Sequence, residues 1–95
     1  MINARPLAMP TIHLNGSSPN RLLEELMEAH HALAVARDML AGAAPNARDY
    51  YPQGDDAFRR ARTEHNARIA ALVEVIGEIA EIAEAIDAQA GARRR

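Results

Sequence analysis

The chain has 95 residues, 48% of them apolar but only 3% aromatic, with no cysteine and a formal net charge of −2. That length suits one small domain with a modest core, and the missing thiols exclude disulfides, thiolate metal sites and cysteine nucleophiles. Alanine and aliphatic residues carry the apolar share, which favours close-packed helices over a thick sheet core, and all eleven cations are arginine.

Residues 1–18 read as an N-terminal arm. MINARPLAMP shows no signal-peptide core, and no apolar run approaches the roughly 20 residues that span a bilayer. The expected location is the cytoplasm, and Met9 offers an alternative start. TIHLNGSSPN alternates apolar and polar at Ile12 and Leu14 and breaks at Asn15 and Gly16, the pattern of a short extended segment ending in a turn.

Ser18 before Pro19 predicts a helix start, because serine accepts from an orphan amide and proline is preset for the first helical position. Helix 1 is expected over about 19–41, with Gly42 free to take the left-handed conformation that ends a helix. Leu22, Leu26, Ala29, Leu33, Ala36 and Leu40 alternate spacings of four and three, a seam for a partner helix.

The loop is expected over 42–55. Its body, AAPNARDYYPQGD, holds both tyrosines, and Pro45, Pro52 and Gly54 forbid a regular α-helix through it. At about thirteen residues it exceeds the usual helix connection, which points to a folded functional loop. Helix 2, capped by Asp55 or Asp56, is expected over about 56–90, with Gly77 its weak point. Residues 91–95 read as a disordered basic tail.

Helix 2 carries Phe58, Arg62, His65, Ile69, Leu72, Ile76, Ile79, Ala83, Ile86 and Ala90 on one line. A second stripe through Val75 and Ile82 widens the apolar face beyond what a two-helix seam needs. Charge divides this helix. Arg59, Arg60, Arg62 and Arg68 lie in its first half, and Glu74, Glu78, Glu81, Glu84 and Asp87 in its second.

At 1.5 Å per residue the two helices span roughly 33 Å and 50 Å, so the last turns of helix 2 overhang. The arm, through Ile12 and Leu14, and a second copy of the chain are both expected to cover them. The predicted fold is therefore all-α: an antiparallel two-helix hairpin with an extended N-terminal arm, assembled into a homo-oligomeric bundle.

Glu28 and His31 have the spacing of di-iron ligands, but helix 2 supplies no matching set, and His30 and His31 point about 100° apart. No metal and no cofactor are expected. Ser17, Ser18, Thr11 and Thr63 lack a base and an orienting group at recognisable spacing, so no enzyme is expected. A negative chain with an acidic half-helix also disfavours nucleic acid as a partner.

The loop and the start of helix 2 remain. There the apolar seam turns polar at Arg62 and His65, with Arg68 beside it and Tyr50 and Tyr51 near. A tyrosine ring stacks and an arginine fork holds phosphate or carboxylate, so these residues could form a pocket for an anion carrying a flat ring. They could equally form a plug in which Tyr50 and Phe58 close the hairpin and Asp49 pairs with an arginine. The candidate ligand-binding residues are Tyr50, Tyr51, Arg59, Arg62, His65 and Arg68, then Arg48 and Gln53. His13 and Asn15 join them if the arm reaches a neighbouring subunit.

IHLNGSS, ARDYYPQG and the pattern of Glu64, His65 and Arg68 together resemble a group of small proteins encoded by tailed phages and prophages, which show HLNGT where this chain has His13 to Ser17. The likeness covers most of residues 11–86. It implies a small phage protein that acts by binding a host component. By analogy of role, the residues suit an oligomeric sponge for cyclic-nucleotide or ADP-ribose-derived messengers of bacterial immunity. The other readings are a protein-interaction or virion-assembly module and a weakly DNA-associated accessory protein.

Overall fold

The computed structural model describes residues 6–93. Among them are two α-helices, α1 (Pro19–Gly42) and α2 (Asp55–Arg93), and no strand. No helix among the described residues is long and apolar enough to cross a membrane.

Local chemistry fixes the helix ends. Ser18 Oγ accepts from the Arg21 amide at 3.2 Å, and Pro19 occupies the first helical position. At the other end the Ala43 amide donates to the Leu40 carbonyl at 3.0 Å. The left-handed cap expected at Gly42 does not form. Gly42 stays helical, the chain leaves through Ala43 at φ −97°, and Gly54 is the described residue with positive φ. Gly54, at φ 106° and ψ 168°, turns the chain directly into α2, whose first turn places Asp55 and Asp56 at the positive end of the helix dipole. Helix α2 continues to Arg93, past the end expected near Ala90, while Arg94 and Arg95 lie outside the described residues.

The core lies along one line of α2. Ile76, Ala83, Ile86 and Ala90 are buried, His65 is buried with them, and Phe58, Ile69, Leu72 and Ile79 are half-buried. Arg62 on that line is exposed, as is Val75 of the second stripe. On α1 the covered positions are Leu22, Leu23, Leu26, His30, Leu33, Ala34, Arg37 and Leu40, all half-buried. Ala29 and Ala36 of the expected seam are exposed. The stripe leans one residue toward His30 and Arg37, which are half-buried. No residue of α1 is fully buried.

The excess length of α2, 39 residues against 24, is divided between its two ends. The loop folds back as two 3₁₀ turns, Ala47–Asp49 and Tyr51–Gln53, beside the first turns of α2. The arm covers the last turns. Ile12 is buried, its amide donates to Gln89 Oε1 at 2.9 Å, and Gln89 Nε2 donates to the Pro10 carbonyl at 2.8 Å. One side-chain amide thus pairs with the arm as a neighbouring strand would. Leu14, expected to cover the overhang with Ile12, is 90% exposed, because it sits in the turn closed by the Gly16 amide on the His13 carbonyl at 3.1 Å.

The result is a rod of 64 × 25 × 19 Å with a radius of gyration of 19.0 Å. A compact domain of this length would have about 12 Å.

Candidate functional site

The loop is built residue by residue. Asn46 Oδ1 accepts from the Arg48 amide at 3.1 Å, and the amides of Asp49 and Tyr50 donate to the carbonyls of Asn46 and Ala47, each at 3.0 Å. Pro52 is the second residue of the next turn, in which Gln53 and Gly54 donate to the carbonyls of Tyr50 and Tyr51 at 2.9 and 3.1 Å. A loop with its backbone satisfied this way holds its side chains in fixed places.

Two constructions share Tyr50. In the first, the rings of Tyr50 and Phe58 lie 6.4 Å apart at 51°, and the Arg62 guanidinium carbon sits 5.4 Å from the Phe58 centroid. These are the dimensions of a tilted aromatic pair extended by a cation–π contact. It is the plug arrangement, with Arg62 supplying the cation; the aspartate pairing expected at Asp49 does not form among the described residues.

In the second, a cleft of about 290 Å³ opens where the end of α1 leaves α2. It is lined by Ala43, Pro45, Tyr50, Ala61, Glu64, His65 and Arg68. His65 is 6% exposed, and its Nε2 is buried with no hydrogen-bond partner. Such an atom costs about 1–3 kcal/mol when left unpaired; it lies beneath the surface of the cleft that His65 helps to line.

The cleft carries mixed charge. Arg68 has no ion pair among the described residues, and neither do Arg48, Arg60 and Arg62. Arg59 pairs with Asp56 at 3.7 Å, both of them exposed. Glu64 puts a carboxylate in the same wall as Arg68.

Of the sequence-derived candidates, the cleft brings together Tyr50, His65 and Arg68. Arg62 is outside the cleft lining, with its guanidinium over the Phe58 ring. Tyr51 is 74% exposed and outside the cleft lining, and Arg48, Gln53 and Arg59 are exposed as well. His13 and Asn15 lie in the arm turn, by the opposite end of α2; the 24 residues from His65 to Gln89 place them roughly 36 Å away. The His13 ring stands over Gly16, where an added Cβ would meet Nε2 at 2.9 Å.

Glu64 was not among the expected residues. Its i, i+4 relation to Arg68 was the available signal, whereas its direction depends on where α1 ends. Among the described residues no group of three or more histidine, aspartate or glutamate side chains is placed to hold a metal ion.

None of the known protein families, curated proteins or solved structures compared with the chain matches it.

Proposed function

We propose that the chain is a phage-encoded, non-enzymatic binding protein that sequesters a nucleotide-type messenger of bacterial immunity in the Tyr50–Glu64–His65–Arg68 cleft. The observation that carries this reading is the cleft that brings Tyr50 and His65 together with Arg68, an arginine that has no ion pair among the described residues. Each group has a task in holding a nucleotide. The Tyr50 ring offers a face to a base, the Arg68 fork donates to phosphate, His65 supplies part of the wall, and the Glu64 carboxylate accepts from an amino group. The motifs IHLNGSS and ARDYYPQG supply the phage context.

Cleft volume narrows the ligand. About 290 Å³ lies at the lower edge of small-molecule sites, so one chain holds about one nucleotide unit. A cyclic oligonucleotide or a cyclic ADP-ribose derivative extends beyond it toward a second copy of the chain.

Calorimetric titration with cyclic dinucleotides and glycocyclic ADP-ribose isomers tests the proposal. Saturable heat is expected with at least one of them, weakened tenfold or more by Arg68→Ala and by Tyr50→Leu. No heat across that panel sinks the sponge reading.

A second reading rests on a different observation. Tyr51 is 74% exposed, and Arg59 and Arg60 are exposed nearby in sequence. Tyrosine and arginine are the residues that anchor protein interfaces. If Tyr51→Ala abolishes a phage or host protein partner while Arg68→Ala does not, the interaction or virion-assembly role is the right one.

A further inference from the structure

We infer that the open face of α2 is a docking surface for a second copy of this chain, laid antiparallel with its two-fold axis between Ala71 and Leu72. Arg59, Arg62, Asn66, Ala70, Val73, Gly77, Glu81 and Glu84 are all exposed. On a helix of 3.6 residues per turn they fall within an arc of about 100°, whose centre lies roughly 100° round from the buried line through His65, Ile76 and Ala83, with Arg62 at the edge nearest that line. Val73 is 49% exposed about midway along the length of that face, and a shallow groove of mostly apolar surface runs along Val73, Glu74, Gly77, Glu78 and Glu81.

Two observations identify the occupant. First, the charge along this face changes sign, with Arg59 and Arg62 at one end and Glu81 and Glu84 at the other. A parallel copy would set like charges against each other. An antiparallel copy sets Arg62 opposite Glu81 and Arg59 opposite Glu84 of its partner, each twice by symmetry. The same register places Ala70 opposite Val73 and Asn66 opposite Gly77, so near the two-fold axis each larger side chain faces a small one.

Second, Gly77 has no reason within its own chain. A Cβ built there meets nothing within 4 Å, and its φ is not positive. Glycine inside a helix costs about 1 kcal/mol relative to alanine. A neighbouring backbone approaching this notch explains its use, and it does so independently of the charges. The inference does not depend on what the cleft binds.

Sedimentation equilibrium on the full chain tests the surface. The wild type is expected to self-associate, Glu81→Arg with Glu84→Arg to weaken association at least tenfold, and the further changes Arg59→Glu and Arg62→Glu in the same chain to restore it. All four positions are exposed, and circular dichroism verifies the fold. A monomeric wild type overturns the proposal, as does an unchanged constant in the reversed variant or a failure to restore it. Orientation is read by cross-linking, since the chain has no native cysteine. A mixture of Arg59→Cys and Glu84→Cys chains is expected to form a disulfide and neither variant alone, because identical positions of the two copies would lie roughly 37 Å apart. Self-cross-linking of Arg59→Cys points to parallel pairing and overturns the register.

Discussion

His65 holds two demands in one side chain. Its ring fills the core line of α2 between Phe58 and Ile69, yet one nitrogen of that ring stays buried without a partner. His65→Leu keeps most of the volume and removes the orphan atom. A gain of about 1 kcal/mol or more is expected, read as a rise in Tm of about 4–8 °C for a domain of this size, with loss of ligand uptake. A fall in Tm would mean that the imidazole already stabilises the apo chain. Arg62 makes a different kind of contribution, because it is exposed and acts through Phe58. Arg62→Ala should cost no more than about 1 kcal/mol in a urea melt. The burial of His65 was legible from its place on the apolar line, but the lack of a partner was not. That depends on what α1 and the loop set around the ring, and no spacing within α2 records it.

At the scale of elements, two glycines have opposite meanings. Gly54 sits at φ 106° and ψ 168°, a region essentially reserved for glycine, and it joins the folded loop to α2. Gly54→Ala is expected to cost on the order of 1–3 kcal/mol and to loosen the Tyr50–Phe58 contact, seen as a change in tyrosine fluorescence. Gly77→Ala, measured at concentrations where the chain is monomeric, should instead stabilise by about 1 kcal/mol. The hairpin, its helix starts and the core line of α2 were readable because periodicity and capping are local. Gly42 and Gly54 both flank helices, and which of them takes positive φ follows from the path of the loop between them. The seam of α1 was placed correctly at its leucines. It missed Leu23, His30, Ala34 and Arg37, since a single line of alternating spacings is narrower than the stripe that α1 half-buries.

The whole molecule is a rod carrying different equipment at its two ends. The cleft and loop occupy one end, and the arm with His13 and Asn15 the other. Within one chain these cannot meet. In the inferred antiparallel register the level of Gln89 in one copy faces the level of Gly54 in the other, which would bring the partner's arm alongside the loop. A rod in which no residue of α1 is fully buried also leaves much of its apolar surface, Met27, Val35 and Met39 included, within reach of other copies.

The hold of Gln89 on the arm sets how that segment comes and goes. Its side-chain amide makes two hydrogen bonds to the arm backbone, beside one buried isoleucine. An attachment of that size opens locally, far below the free energy of melting the hairpin. Hydrogen exchange at the Ile12 amide should therefore be faster than at the buried turns of α2, and Gln89→Ala should accelerate it further while α2 stays protected. Proteolysis of the same variant should remove the arm first, leaving a trimmed hairpin that is still helical.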